Sequence, residues 1–347
     1  MSGAPSSAGP DVAVRLSHVS KRYGAVEALS GLSLDVQRGH MLGLIGPDGA
    51  GKTTAIRLMC GLLHADAGEI RVLGSDPVRE HRRITERVGY LSQRFSLYGD
   101  LTIDENIAFF AEIHGVREYR RRRDQLLDMM QLTPFRTRLA DRLSGGMKQK
   151  LALACTLVHE PEVILLDEPT TGVDPLSRRE FWKLLSEFLA TGITILMSTP
   201  YLDEAERCTR VALLHEGRVL AEDDPRNLRR LIHGRMIEVL TREPDAADVL
   251  KRLPGVAGVQ VFGERLHVTL REGPPDAFAE AAAPREDGHD AGPGAVSTLD
   301  EAADEGVRRF MAALATTPLA GTPARVVPPS LEDVFIARLS AEENIRA

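Results

Sequence analysis

An apolar run, Met41-Leu42-Gly43-Leu44-Ile45, feeds directly into Gly46-Pro47-Asp48-Gly49-Ala50-Gly51-Lys52-Thr53-Thr54, and a helical pattern from Thr53 to Leu63 follows. Few features confine a chain so tightly. The segment fits G-x-x-x-x-G-K-[ST], the glycine loop whose backbone N–H groups converge on phosphate oxygens at a helix start. Such a loop needs a strand before it and a helix after it, and both are legible here. It therefore predicts an α/β fold with a buried parallel sheet. Lys52 is expected to reach the β- and γ-phosphates, and the Thr53 hydroxyl to bind a magnesium ion.

A second apolar strand, Val163-Ile164-Leu165-Leu166, ends in Asp167-Glu168. A carboxylate at such a strand end sits beside the metal in phosphate-loop enzymes, which is the role expected of Asp167. Glu168 is placed to polarise a water for attack on the γ-phosphate. Between loop and acids lies Leu143-Ser144-Gly145-Gly146-Met147-Lys148-Gln149, a serine-glycine turn opening a helix. The free N–H groups of that helix start point at an anion.

These three elements, in this order, resemble the ATP-binding cassette (ABC) family over residues 12 to 230. The resemblance implies a phosphate-loop NTPase cassette: a RecA-like core, an antiparallel β subdomain and a helical subdomain carrying the signature turn. Gly46 to Thr54 would hold ATP. Ser144, Gly145 and Gly146 would close on the ATP of an opposed second cassette. Gln93, in Leu91-Ser92-Gln93, corresponds to the family's glutamine that senses magnesium, and would share the ion with Thr53 and Asp167. Lys52, Gln93 and Glu168 form the expected catalytic set. Thr171-Gly172-Val173-Asp174 matches the loop that crosses the dimer interface. Tyr23 occupies the place of the aromatic residue that stacks on adenine; taken alone it reads more often as a half-buried packing residue. ATP and Mg2+ are the implied cofactors.

Phe95-Ser96-Leu97-Tyr98, Leu101-Thr102-Ile103-Asp104-Glu105-Asn106 and the ending Ser330-Leu331-Glu332-Asp333-Val334-Phe335 are similar to the ATPase subunits of daunorubicin-resistance-type exporters. That subclass implies separate permease subunits in the inner membrane. It implies a cytoplasmic chain, peripheral on the cytoplasmic face, serving drug or lipid efflux.

Two positions depart from the family. Asp48 replaces a frequent asparagine, and a carboxylate near phosphate is tolerated if solvated. More consequential is Ser198-Thr199-Pro200, where the family reads Ser-Thr-His. Proline has neither a side-chain donor nor a backbone N–H. Either the site works more slowly, or the cassette binds ATP, hydrolyses it poorly and pairs with a competent paralogue instead of a second copy of itself. A regulatory subunit and a translation-associated ABC protein are the rival classes.

The remaining sequence sets limits. With 43 basic and 50 acidic residues the net charge is −7, which argues against a nucleic-acid partner. Arg120 to Arg123 read as a solvated helix face. Cys60, Cys155 and Cys208 have no metal spacing and read as reduced thiols, with Cys60 and Cys155 in apolar helical contexts expected to be buried. No apolar run approaches the roughly 20 residues of a membrane helix. Residues 1–10 read as disordered, 11–232 as the cassette and 233–347 as a small α+β domain with a mobile insertion at 272–297. Strand-helix-strand-strand-helix-strand after Met236 suggests a ferredoxin-like unit.

Overall fold

The computed structural model describes residues 11–93, 96–271 and 305–346. The expected disordered start, the insertion at 272–297 and Phe95 lie outside the described residues. The remainder divides between Pro225 and Arg226 into two compact units, seven residues before the sequence-based boundary at 232.

The first unit opens with β1 (Val12–Tyr23) and β2 (Val26–Gln37), then β3 (Met41–Ile45), α1 (Lys52–Met59), β4 (Ala67–Val72), α2 (His81–Arg87) and β5 (Val88–Leu91). Three helices follow, α3 (Ile103–Ile113), α4 (Tyr119–Met129) and α5 (Gly145–Leu157). It continues through β6 (Val163–Asp167), α6 (Pro175–Ala190), β7 (Thr194–Thr199), α7 (Leu202–Ala205), β8 (Arg210–His215) and β9 (Arg218–Asp223). The short α8 (Pro225–Arg229) stands at the division.

Two sheets build this unit. One is antiparallel, in the order β2-β1-β4; the other runs β5-β6-β7-β3-β8-β9, parallel except for β9. Every residue of β3 and β6 is buried, which explains why both read as unbroken apolar runs. Leu165 and Leu196 of the parallel sheet share one core with Ile56 and Leu58 of α1 and with Leu16 and Leu34 of the antiparallel sheet. In the β8–β9 turn Glu216 and Gly217 both have positive φ, as a two-residue hairpin requires.

Differences from the sequence reading are local. The helix after the glycine loop stops at Met59, not Leu63, because the chain turns at Gly61 (φ 70°), whose Cα faces the Pro77 carbonyl. β1 runs to Tyr23, past a bulge at His18 (φ 50°). The start of α3 carries a capping box: Thr102 Oγ1 accepts from the Glu105 N–H, and the Glu105 carboxylate accepts from the Thr102 N–H. In the basic run, Arg123 pairs with Asp104 and Asp124 and Arg122 lies near Glu160, so half of it is structural. The three thiols are buried, and burial pushes Cys208 up to about 12 and the other two higher still.

His114, after α3, stacks on His159, after α5, with ring centroids 3.8 Å apart and planes within 5°. Burial lowers both imidazoles, and His159, beside its neighbour's potential charge, falls to about 4. A free imidazole titrates near 6.5. Stability is therefore complete above that pH and declines as pH falls towards 4, because the unfolded chain takes up the protons first. We expect unfolding in denaturant at pH 5 to show a loss of about 1–2 kcal/mol against pH 7.5. His159→Gln should flatten this difference.

The second unit contains β10 (Met236–Leu240), α9 (Ala246–Lys251), β11 (Val256–Phe262), β12 (Arg265–Leu270), α10 (Glu305–Leu314), β13 (Ala324–Val327) and α11 (Leu331–Arg346). Its antiparallel sheet, β11-β12-β10-β13, has the strand order of a ferredoxin-like unit. One face packs Ile237, Val239 and Val268 against Leu250, Phe310 and Leu314. The other carries Gln260, His267, Glu238 and Arg325 in register; there Asp333 of α11 meets His267 at 2.7 Å, and Ser330 caps the helix through Asp333.

Candidate functional site: a nucleotide cleft at the strand ends

Adjacent parallel strands release their chemistry at the same edge. β3 runs into the glycine loop, β6 ends in Asp167, β7 ends in Ser198-Thr199, and Gln93 follows β5 by two residues. Ligands of open α/β sheets bind at the carboxyl ends of the strands. A cleft of about 770 Å3 lies there, lined by the loop from Asp48 to Thr54 and by Tyr23, Gln93, Glu168, Thr171 and Pro200.

The loop's shape depends on two glycines. Gly51 has φ 105°, and a Cβ there would lie 2.5 Å from the Ala28 carbonyl oxygen. At Gly46 a Cβ would meet the Leu214 carbonyl oxygen at 2.1 Å. Backbone crowds both positions, so no side chain fits.

Lys52, 3 % exposed, donates to the carbonyls of Gly46 (2.8 Å) and Pro47 (3.0 Å) and lies 3.2 Å from Glu168 Oε1. The other Glu168 oxygen accepts from the Gln93 amide at 3.0 Å and the Thr171 hydroxyl at 3.4 Å. Glu168 adopts φ 47°, a left-handed conformation that costs a non-glycine residue about 1–3 kcal/mol. Its N–H holds it there, shared between Ser198 O (3.1 Å) and Ser198 Oγ (3.0 Å).

Asp167 is 1 % exposed. Its Oδ1 accepts from Thr53 Oγ1 (3.0 Å) and Ser198 Oγ (2.8 Å), while Oδ2 is buried with no hydrogen-bond partner. A buried carboxylate oxygen without a donor, next to a threonine hydroxyl, suits a hard cation with oxygen ligands. The set Thr53, Gln93 and Asp167 thus fits magnesium, although among the described residues no group of three or more His, Cys, Asp or Glu could hold a metal alone.

The remaining candidates are placed as follows. Tyr23 is 46 % exposed on the cleft wall, where its ring is accessible to a ligand. Asp48 is exposed, the condition under which its charge is tolerated. Gly46, Pro47 and Ala50 shape the loop from behind. Ser144 caps α5 by accepting from the Met147 N–H at 3.3 Å. Ser144, Gly145 and Gly146 do not line the cleft. Asp174 caps α6. No histidine lines the cleft among the described residues; His159 is occupied with His114. The sequence reading missed Ser198, which bridges Asp167 to the Glu168 amide, along with Thr171 and Tyr201 at the cleft.

Known proteins resemble this chain. The family model described as ABC transporter matches residues 29–171. Over 258 residues the chain is 40% identical to the daunorubicin resistance ATP-binding protein DrrA3 of Streptomyces coeruleorubidus, covering 74% of this chain and 82% of that protein. The chain belongs to the ABC transporter family of ATP-binding proteins. Within this ABC family it is also 41% identical over 279 residues to the probable multidrug ABC transporter ATP-binding protein YbhF of Escherichia coli, covering 78% of this chain. It spans only 48% of that relative's length. Among solved structures, a dimeric post-hydrolysis ATP-binding cassette bound to ADP and Pi matches with TM-score 0.55 at 27% identity, covering 61% of this chain and 98% of that one. No described helix of this ABC protein is long and apolar enough to cross a membrane.

Proposed function

We propose that this chain is the ATP-binding subunit of an ABC exporter, coupling ATP binding and hydrolysis to transport through separate permease subunits at the cytoplasmic face of the inner membrane. The observation that carries it is the convergence of Lys52, Thr53, Gln93 and Glu168 on one cleft, with Asp167 hydrogen-bonded to Thr53. The relatives' printed names, multidrug and daunorubicin resistance, support drug efflux as the task.

Lys52 engages the β- and γ-phosphates. Its ammonium bonds two loop carbonyls and pairs with Glu168, and Glu168 orients the attacking water. Tyr23 offers its exposed ring to adenine. Magnesium, held by Thr53, Gln93 and Asp167, would neutralise charge on the phosphate oxygens. Ser144, Gly145 and Gly146, lying off their own cleft, suit the nucleotide of an opposed cassette. ATP so held favours the closed pair, and hydrolysis releases it.

Pro200 favours a partner that differs from this chain. It lines the cleft where a side-chain donor to the γ-phosphate would stand, and it has none. The chain then binds ATP, turns it over slowly and pairs with a competent paralogue. Pro200→His in the purified chain is expected to raise kcat by roughly ten- to a hundredfold, the range of one transition-state hydrogen bond of about 1.5–3 kcal/mol. Unchanged turnover at saturating ATP would mean that the missing histidine does not limit the rate.

A further inference from the structure

We propose that Glu204 is a positioning residue for ATP hydrolysis, clamping the loop that carries Glu168 to the segment that carries Pro200. The inference rests on the hydrolysis reading above. Glu204 is 1 % exposed, in the short α7. Its Oε2 accepts two hydroxyl bonds, from Thr170 Oγ1 at 2.9 Å and Thr199 Oγ1 at 2.8 Å. Both threonines are fully buried. Thr170 lies two residues after Glu168, and Thr199 immediately precedes Pro200. One carboxylate oxygen therefore joins the exits of β6 and β7 directly behind the cleft.

The other oxygen, Oε1, forms an ion pair with the buried Arg178 Nε at 3.6 Å, and neither atom has a hydrogen-bond partner. Arg178 stacks on Tyr201, 4.5 Å from its ring centroid, and Tyr201 lines the cleft. Tyr201 also donates its N–H to Thr199 Oγ1 at 3.1 Å. Glu204 thus touches three segments at once: the Glu168 loop, the Pro200 segment and the start of α6. A buried carboxylate costs stability unless it is paired and hydrogen-bonded, and an apolar residue would fill the space more cheaply. Holding two strand exits in register is what the carboxylate adds. None of Glu204, Thr170 and Thr199 lines the cleft, so the clamp should act on turnover and not on ATP affinity.

The test compares the full chain with Glu204→Ala, Glu204→Gln and Thr199→Val, measuring ATP affinity, kcat and thermal unfolding. Glu204→Ala is expected to lower kcat about ten- to a hundredfold, the scale of an ångström-sized misplacement, with ATP affinity within about twofold. Glu204→Gln keeps an oxygen acceptor for the threonines and should recover most of the rate. Thr199→Val keeps shape, removes one hydroxyl and serves if Glu204→Ala fails to fold. Parent-like kcat in a folded Glu204→Ala or Thr199→Val protein overturns the clamp, as does equal loss of kcat and affinity. If neither the parent nor Pro200→His hydrolyses ATP, the hydrolysis reading itself fails and the clamp falls with it. Hydrolysis that Glu204 variants leave untouched removes the clamp alone.

Discussion

Lys52→Ala is expected to lower ATP affinity by at least about a hundredfold, equivalent to about 3 kcal/mol, because a hydrogen bond to a charged group contributes about 1.5–3 kcal/mol and this ammonium serves two phosphates. The structure makes the loss hard to compensate. Lys52 is buried at the helix start with its ammonium already held by the Gly46 and Pro47 carbonyls. The substitution also leaves Glu168, 7 % exposed, without its cationic neighbour. Breaking one side of a buried pair costs up to about 3–5 kcal/mol; since Gln93 and Thr171 still donate to Glu168, we expect roughly 1–3. Lys52→Ala combined with Glu168→Gln should restore much of that stability and none of the binding. Calorimetric titration with Mg-ATP and thermal unfolding together check both parts. Micromolar ATP binding by Lys52→Ala would refute the assignment of the glycine loop.

Glu168→Gln should reduce turnover by about 10²–10⁴-fold, the contribution typical of a positioned base. The amide keeps the shape and its oxygen still accepts from Gln93 and Thr171, but buried Lys52 loses its anionic partner, so we expect a stability loss of roughly 1–3 kcal/mol. ATP binding should persist or tighten, since Lys52 no longer shares its charge with a carboxylate 3.2 Å away. Because Pro200 is expected to slow the parent, the comparison is best repeated in the Pro200→His background, where the rate to be lost is larger. Turnover within threefold of the parent in both backgrounds would show that Glu168 does not handle the attacking water.

Much of the cleft was legible because its parts are local. A glycine loop between a strand and a helix is a contiguous pattern, and β3 was bounded correctly to the residue. Asp167 was readable because a four-residue apolar run ends on it. Other participants left no local mark. Ser198 was noticed only for the proline two residues later, yet its hydroxyl bonds both Asp167 and the Glu168 amide. Glu204 stands in the chain between Asp203 and Glu206, where a cluster of carboxylates normally signals solvent. Its partners Thr170 and Thr199 are 34 and 5 residues away. The end of α1 was misjudged because the Pro77 carbonyl crowding Gly61 comes from a later loop.

From sequence alone came the phosphate-binding loop, the acidic strand end, the signature turn and the missing switch histidine, and with them the family. Each is short-range chemistry: one backbone conformation or one side chain at a fixed offset from a strand. Only the tertiary structure decided that Lys52 and Glu168 form an ion pair, that one Asp167 oxygen is buried without a hydrogen-bond partner, and that a buried glutamate ties two strand exits together. Those outcomes depend on the order β5-β6-β7-β3, which brings strand ends distant in the chain within hydrogen-bond reach, and no periodicity along a single segment encodes that order.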